Sequence, residues 1–518
     1  MPVSFAKSLS TLFLSAAAVC TAAAQQRAPA APRAPAAAPA PAPLPARRLF
    51  TFDTVLADAK RRAALPFVAQ TAPLPAWLDK LGAEQYRSIR FDPDADIWRS
   101  EKLPFRMELL PAGFNFHTTV KVSIVDAGRV QDVAATPAMF HYGRSVPPPA
   151  SDLPLSGFRI RGHINSNKIW DEFLVFQGAS YFRAVARHQV YGMSGRGLAL
   201  NTAEPAGEEF PAFTHFWIEQ PARKAAAIVV YALLESRSTT GAYRFVVTPG
   251  RETSMDVDLT LFPRAELRIY GIAPLTSMFL FDQTNRGRLD DYRPEVHDSD
   301  GLQITTKSGE HIWRQLANPA KLQVSTFTSE APRGFGLMQR SRRESDFDDL
   351  GAQYERRPSV WVEPRSDFGP GAVELVEIPS GRETNDNIVA FFRPARALPA
   401  GSSAHFAYRL TWLAQTPAPK GLGEVKAARS GASLDGKRRV FQVDFVGAGD
   451  KTAGLQVDLS ASAGRTSRVV LSPDPAIHGM RAGFELDPKG ADLIELRLQV
   501  ARAGRPVTET WLYRWTAS

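Results

Sequence analysis

Cysteine is almost absent from this chain of 518 residues, because Cys20 is the only one. A basic residue and the apolar stretch 9–19 precede a small-residue cleavage site at 22–24, a pattern that predicts a secretory signal peptide over residues 1–24. Cleavage after Ala24 would leave a mature chain with no disulfide, no thiolate metal site and no cysteine nucleophile. The alternative is a lipoprotein anchored through Cys20.

Long hydrophobic runs and a twin-arginine pair are also missing. No stretch of about 18 apolar residues follows the leader, so we expect the mature chain to be soluble. A leader without twin arginines indicates the general secretion route rather than the twin-arginine route. The sequence therefore predicts an exported protein that has no membrane span of its own.

The chain has only a modest excess of positive charge, because it contains 62 Lys and Arg residues and 53 Asp and Glu residues. The densest basic runs lie within 340–343 and 356–357, and carboxylates stand between and around them. This mixture is typical of a solvated loop and argues against a nucleic-acid site. We therefore predict no nucleic-acid partner.

Three signatures of catalytic or cofactor sites are missing as well. The chain has no Gly-x-Ser-x-Gly motif, which excludes the usual serine hydrolase arrangement. The glycines at 192, 195 and 197 do not follow a strand and open a helix, so a nucleotide loop is not indicated. His297 has no second His at a metal-ligand spacing. We predict neither a metal site nor a cofactor.

The order of the chain favours an all-β protein. Residues 25–48 are rich in Ala and Pro and predict a disordered tether. Helical spacing is confined to 53–64 and 77–87, and period-two runs broken by Gly, Pro, Asn and Asp then continue to 413. A Pro- and Gly-rich linker is predicted at 414–424, and about seven short strands at 425–518 predict an immunoglobulin-like sandwich.

Two segments combine aromatic and polar side chains in the way that sugar sites require, because aromatic faces cover pyranose C–H surface while charged groups bond hydroxyls. The first is 176–200, and the second is 207–220. A turn between strands and a charged core strand are the alternatives. The candidate sugar-binding residues in these segments are Tyr181, Arg183, Glu208 and Trp217.

The segments 293–301 and 374–390 are densest in carboxylates. Glycoside hydrolysis uses two carboxyl groups, one as an acid and one as a base or nucleophile. A solvated or turn-capping carboxylate is the alternative for each residue. The candidate carboxylates are Glu295, Asp298, Asp300, Glu374, Glu377, Glu383 and Asp386.

Long strings of the sequence resemble the G/D family of osmoregulated periplasmic glucan biosynthesis proteins. The resemblance covers most of 49–413 and is weaker in the C-terminal part. The matching strings include EQYRSIRFDPDADIW at 84–98, LPFRMELLPAGFNF at 103–116, FQGASYFRAV at 176–185, GEEFPAFTHFWIEQP at 207–221, RPEVHDSDGL at 293–302 and ELVEIPSGRETNDNIVAFF at 374–392.

The resemblance implies a large galactose-mutarotase-like β-sandwich at 49–413, followed by a small immunoglobulin-like sandwich at 425–518. It implies a periplasmic protein needed to make β-1,2-linked glucans, and an inverting endo-β-1,2-glucanase activity. The alternative is a non-catalytic scaffold that binds glucan beside a membrane glucan glucosyltransferase. Homodimerisation is left open.

The resemblance also assigns roles. Asp386 in ETNDN corresponds to the general acid, and Asp298 in HDSDG to a general base that acts through hydroxyls or waters. The remaining candidates for glucan binding are His297, Glu374, Glu377 and Asn385, and the charged segment 340–357 is similar to a loop that covers the cleft. From the neighbouring residues we expect Asp386 to be partly buried and protonated, and Asp298 to lie in a more polar setting as a carboxylate.

Overall fold

The computed structural model describes residues 49–69, 74–143, 151–286, 289–415 and 421–517. The predicted signal peptide at 1–24, the predicted tether at 25–48 and the centre of the predicted linker lie outside these residues. The boundaries at 413 and 425 stay a prediction.

Helices are few and short in the described part of the chain. The α-helices are Phe52–Ala63 (α1), Ala76–Asp79 (α2) and Ala83–Ser88 (α3). The single turns of 3-10 helix are Pro93–Ala95, Pro137–Met139, Glu344–Asp346, Tyr354–Arg356 and Pro475–Ile477.

The chain between and after these helices forms strands. In chain order they are Arg90–Phe91 (β1), Phe105–Pro111 (β2), Lys121–Asp126 (β3), Arg129–Asp132 (β4), Phe140–His141 (β5), Leu155–Gly162 (β6), Asp171–Gln177 (β7), Tyr181–Ala184 (β8), Ser194–Arg196 (β9), Ala199–Leu200 (β10), Ala212–Glu219 (β11), Ile228–Glu235 (β12), Thr239–Thr248 (β13), Thr253–Pro263 (β14), Tyr270–Ser277 (β15), Phe279–Phe281 (β16), Val296–His297 (β17), Gly301–Thr305 (β18), His311–Gln315 (β19), Gln323–Ser329 (β20), Gly334–Met338 (β21), Ser359–Pro364 (β22), Gly371–Glu377 (β23), Ile388–Pro394 (β24), Ala404–Leu413 (β25), Glu424–Ala432 (β26), Arg439–Val446 (β27), Leu455–Ala461 (β28), Arg465–Thr466 (β29), Val470–Asp474 (β30), Gly479–Asp487 (β31), Leu493–Arg502 (β32), Arg505–Pro506 (β33) and Thr510–Thr516 (β34).

The strands form three large sheets. The front sheet has ten strands in the order β2-β6-β7-β8-β9-β15-β24-β23-β20, with β10 paired to β15. The back sheet has fifteen strands in the order β28-β32-β34-β19-β18-β21-β22-β25-β14-β13-β12-β11-β3-β4, with β33 paired to β32. The C-terminal sheet has five strands in the order β26-β27-β31-β29, with β30 paired to β31. Two short pairs, β1–β5 and β16–β17, complete the set.

Aromatic side chains fill the space between the front and back sheets. Phe158 and Phe176 of the front sheet each contact Phe216 of the back sheet, at ring-centroid distances of 5.1 and 5.3 Å. Phe182 and Phe245 meet in the same cluster at 5.6 Å. Burial of such large apolar surfaces is the main stabilising contribution of a sandwich core. The all-β sandwich predicted from period-two alternation is confirmed.

A second core lies between the C-terminal sheet and one end of the back sheet. Phe441 and Phe484 stack at 5.2 Å and contact Trp511, which is stacked on Tyr513 at 5.7 Å. Strand β34 pairs in parallel with β19, so strands from the predicted small sandwich extend the same back sheet. The two cores therefore share one sheet along this edge.

The N-terminal helical predictions had different outcomes. Helix α1 agrees with the prediction at 53–64, and its buried Val55 and Ala59 pack with Tyr231 and Leu233 on the outer face of the back sheet. The single helix predicted at 77–87 is wrong, because it is divided into α2 and α3. Gly82 adopts an extended conformation (φ −74°, ψ 166°) at the start of α3, which interrupts the helical path.

Candidate functional site

A groove of about 590 Å³ opens over strands β7, β8 and β9 of the front sheet. Tyr181 and Arg183 are half-buried and line the groove, while Ala184 of the same strand is buried. This division follows from the period of two in a β-strand. Other side chains that line the groove are those of Phe116, His117, Glu172, Tyr191, Ser194 and Asp386.

Asp386 lies at the groove in the loop between β23 and β24, with 35% of its side chain exposed. The nearest cation is Arg183, whose Nη2 is 3.6 Å from Asp386 Oδ2. Arg183 is oriented by Ser194, because its Nε donates to Ser194 Oγ at 2.7 Å. Desolvation raises the pKa of Asp386 despite the opposing effects of Arg183 and Arg357. The carboxyl is therefore partly screened from solvent and its pKa is raised, while its protonation stays a prediction.

Asp298 follows strand β17 and lies deeper than Asp386, with only 3% of its surface exposed. Its backbone N–H donates to the carbonyl of Met278 at 2.8 Å, and its Oδ1 accepts a hydrogen bond from Arg357 Nη1. Desolvation raises the pKa of Asp298 more than Arg357 lowers it. The expectation of a more polar setting was wrong, because a single arginine replaces solvent around this carboxyl.

The two carboxyl groups belong to one electrostatic cluster. The charge of Asp386 raises the pKa of Asp298, and Arg183 lowers the pKa of both groups. Arg357 likewise lowers both pKa values. Residues that are 88 positions apart in the chain, at 298 and 386, therefore interact, and only Asp386 lines the groove.

Residues 340–357 form a covering segment over the Asp298 side of the cluster. Phe347 and Tyr354 of this segment are buried together with Phe281 and Val296. The guanidinium of Arg357 lies 4.1 Å from the centroid of the Tyr354 ring. Burial is the main cause that raises the pKa of the Tyr354 hydroxyl, which donates to Glu383 at 3.1 Å. The covering segment is thereby attached to the loop that carries Asp386.

The lack of a side chain at Gly192 leaves room for Arg357. A Cβ atom at Gly192 would lie 2.9 Å from Cβ of Arg357, closer than side chains approach one another. This close contact is one physical reason for glycine at position 192, within the glycine-rich segment 176–200. Sequence reasoning missed Arg357 itself, because it stands in a basic run that resembles a solvated surface.

Tyr181 and Glu208 belong to a layered arrangement beside the groove. The guanidinium of Arg196 lies 5.3 Å from the centroid of the Tyr181 ring and 5.2 Å from that of Phe210. Glu208 bonds Arg196 at 2.7 Å and accepts from the hydroxyl of Thr202 at 2.7 Å. Glu208 therefore supports the aromatic face through Arg196.

The structure does not bring Trp217 to the groove. Its ring stacks on His215 with centroids 3.6 Å apart and contacts Phe50 at 5.5 Å. It belongs to the cluster beneath helix α1, on the outer face of the back sheet. Beyond the bulge between Phe213 and His215 the alternation of β11 is regular, so His215 and Trp217 share this outer face.

Two of the predicted glutamates form ion pairs with arginines. Glu374 is 3.1 Å from Arg393. Glu377 is completely buried, 3.1 Å from Arg314, and accepts from the backbone N–H of Ala317 at 2.7 Å. Neither lines the groove. Their surroundings indicate a structural role rather than contact with a ligand.

His297 and Asn385 flank the two aspartates in the chain without lining the groove. His297 is fully buried, 3.1 Å from Glu295, and its ring stacks on Phe279 at 5.5 Å. Asn385 is exposed, and its amide donates to the hydroxyl of Ser380 at 3.4 Å. His297 and Asn385 therefore do not reach the groove, although each directly precedes a candidate aspartate in the chain.

The described residues include no group of three or more His, Cys, Asp or Glu side chains arranged to hold a metal ion. Within the same part of the chain, no helix has the length and apolar character needed to cross a membrane.

Comparison with known proteins gives consistent matches over nearly the whole described chain. The family model described as "Periplasmic glucan biosynthesis protein, MdoG" matches residues 50–515. The chain is 47% identical over 474 residues to proteins named glucans biosynthesis protein G from Shewanella sp. (strain W3-18-1) and Shewanella putrefaciens (strain CN-32), covering 90% of this chain and 87% of each relative. The protein of that name from Shewanella baltica (strain OS195) is 47% identical over 473 residues, with the same coverage.

Proposed function

The chain belongs to the MdoG family of periplasmic glucan biosynthesis proteins, and from that premise we propose that it cleaves the β-1,2-linked glucan backbone as an inverting endo-glucanase. The observation that carries the proposal is the position of Asp386. A carboxyl with a raised pKa stands at the edge of a groove that is lined by aromatic and polar side chains. Such a carboxyl is suited to general acid catalysis.

Asp386 would protonate the oxygen of the scissile glycosidic bond. Because its pKa is raised by burial, a larger fraction of the carboxyl keeps its proton at a given pH than in an ordinary aspartate. Arg183 beside it limits the elevation and stabilises the carboxylate that forms after proton transfer. The surroundings of Asp386 therefore favour the protonated form more than water does, and a cation is at hand for the carboxylate that forms.

Asp298 would accept the proton of the attacking water through intermediate groups. Its carboxyl is covered by Arg357 and does not line the groove. Direct contact between this carboxyl and a water on the sugar ring is therefore not available in this arrangement, which supports a relay of hydroxyls or waters. Attack on the face opposite the leaving group inverts the anomeric centre.

The wall of the groove suits a glucan chain. The Tyr181 and Phe116 rings offer apolar faces for C–H surface, and Arg183 with Glu172 offers charged groups for hydroxyls. Binding of this kind positions the scissile bond near Asp386. The same surface also serves a protein that holds glucan without cleaving it.

The test is replacement of the acid. Purified Asp386→Asn is incubated with linear β-1,2-glucan, and new reducing ends are measured together with glucan affinity. We expect hydrolysis to fall by about 10²–10⁴-fold with affinity unchanged. Asp256→Asn is the matched control. Asp256 on β14 pairs with Arg409 on β25 at 2.6 Å and does not line the groove, so its replacement should leave hydrolysis unaffected. Unchanged hydrolysis in Asp386→Asn would remove this residue from the mechanism.

A second candidate function is a non-catalytic scaffold that holds nascent glucan beside a membrane glucan glucosyltransferase. The observation that favours it is the ion pair between Asp298 and Arg357, because the guanidinium covers the carboxyl, which does not line the groove. Wild-type protein that binds linear β-1,2-glucan and releases no reducing ends would support this candidate and exclude the hydrolase.

A further inference from the structure

The covering segment begins at a buried ion pair that joins the two sandwich cores. Arg340, its first residue, has 6% of its side chain exposed, and its partner Glu509, which directly precedes β34, has 3%. The pair is bidentate, with distances of 2.5 Å from Nη1 to Oε1 and 3.0 Å from Nη2 to Oε2. Two parallel bonds of this kind define the orientation of a guanidinium as well as its location.

Further contacts from both sides hold the same arginine. Arg340 Nη1 also donates to the carbonyl of Val425 at 2.8 Å, and Glu509 accepts from the backbone N–H of Val425 at 2.5 Å. The indole ring of Trp313 lies 3.5 Å from the guanidinium carbon. Residues of β26 and the residue before β34 therefore fix a side chain that belongs to the large sandwich.

The backbone at the start of the covering segment is held by Asp300. Its Oδ2 accepts from the backbone N–H groups of Arg340 at 2.9 Å and Ser341 at 3.2 Å. Asp300 is two residues after Asp298, so the short stretch that places the proposed base also anchors the segment that covers it.

Arg342 closes the other end of the covering segment. Its Nη1 donates to the backbone carbonyls of Arg357 and of Glu355, the latter at 3.1 Å, and its Nη2 donates to the hydroxyl of Ser359 at 3.1 Å. Arg357 in turn carries the hydrogen bond to Asp298. A continuous series of contacts therefore leads from Glu509 to the carboxyl of Asp298.

Burial of an ion pair costs desolvation free energy that its own attraction does not always offset. A buried pair is therefore better explained by the position that it imposes than by the stability that it adds. We propose that Arg340 and Glu509 form a clamp through which the C-terminal sandwich positions the covering segment, and with it Arg357, over Asp298. The effect of the clamp on hydrolysis rests on the proposed function, whereas its effect on the position of residues 340–357 does not.

The first experiment measures hydrogen–deuterium exchange of the full mature chain carrying Glu509→Gln. We expect exchange in peptides spanning 340–357 to increase about tenfold while the front sheet keeps its protection. Glu485→Gln is the matched control, since it removes a half-exposed ion pair with Arg438 in the C-terminal sheet, at 2.6 Å, and should leave these peptides unchanged. A folded Glu509→Gln protein with wild-type exchange at 340–357 would overturn the clamp.

A milder variant covers the case in which Glu509→Gln does not fold. Arg340→Lys keeps the charge and loses the bidentate geometry, so it should raise exchange in the same peptides by a smaller factor. Wild-type exchange in this variant would equally overturn the clamp.

The second readout is the pH profile of hydrolysis. Arg357 lowers the pKa of Asp298, so a displaced Arg357 leaves that pKa higher. Because a general base must be deprotonated, we expect the acidic limb of kcat/KM in Glu509→Gln to move to higher pH, with kcat/KM reduced about 10–100-fold. A lower rate with an unshifted limb would contradict positioning of Arg357. Wild-type protein without hydrolysis would reject the proposed function and leave the exchange test valid.

Discussion

Two arginine–carboxylate pairs interact electrostatically and differ in their exposure to solvent. Asp386 and Arg183 form the open pair, with side-chain exposures of 35% and 42%. Asp298 and Arg357 form the closed pair, with exposures of 5% and 20%. The same two residue types therefore stand in different degrees of contact with solvent. The open pair can touch a glucan, and the closed pair can act only through other groups.

The cause of the difference lies in what covers each pair. Asp386 stands in a loop that borders the groove, whereas Asp298 lies beneath the covering segment and beside the buried Tyr354. Burial raises the pKa of both carboxyls, so depth alone does not separate an acid from a base. The two carboxyls differ in their cation, because Arg357 bonds Asp298 directly whereas Arg183 Nη2 lies 3.6 Å from Asp386 Oδ2.

The largest effect expected from the comparison concerns the closed pair. Asp298→Asn removes the proposed base and leaves the groove wall intact, so hydrolysis of linear β-1,2-glucan should fall by about 10²–10⁴-fold without loss of affinity. Reducing-end release and equilibrium glucan binding measure the two quantities. A variant that retains hydrolysis would make the closed pair purely structural.

The next effect contrasts the stability of the two pairs. Removal of one partner from a buried pair leaves an uncompensated charge, and we expect Asp298→Asn to lower the free energy of unfolding by about 3 kcal/mol. Asp386→Asn disrupts a partly exposed pair and should change it by less than about 1 kcal/mol. Urea unfolding measures the free energy of unfolding of both variants. Equal losses of that free energy would contradict the distinction between the open pair and the closed pair.

The smallest expected effect is on the pH dependence of hydrolysis, when Arg183 of the open pair is replaced. Arg183 lowers the pKa of Asp386, so Arg183→Gln should raise that pKa. A general acid must be protonated, and the alkaline limb of kcat/KM is therefore expected to move to higher pH, with kcat/KM reduced about tenfold through lost binding. An alkaline limb that moves to lower pH would contradict the assigned acid.

Much of the fold followed from local patterns. The alternation of Met255, Val257 and Leu259 predicted a strand, and these residues lie in β14 with their side chains buried. Helix α1 followed from apolar residues at helical spacing. The site was less predictable. Asp298 and Asp386 were identified through resemblance to known sequences, while the surroundings that the neighbouring residues suggested for Asp298 were incorrect.

Physical reasons separate what could be predicted from what could not. Strands and helices follow from periods of two and 3.6 residues, which are properties of neighbouring positions and can be seen in the sequence. The packing of Trp217 beneath helix α1 and the hydrogen bond from Arg357 to Asp298 leave no period in the sequence, since each depends on contacts between distant parts of the chain.

Local alternation was enough to predict an all-β chain, and resemblance to known sequences identified the two aspartates. Only the tertiary structure decided that Arg183 lies beside one aspartate and Arg357 beside the other. It also decided that a glutamate at position 509 holds the segment that begins at 340. Charge pairing in a folded interior depends on depth and distance, and both quantities arise only when sheets pack.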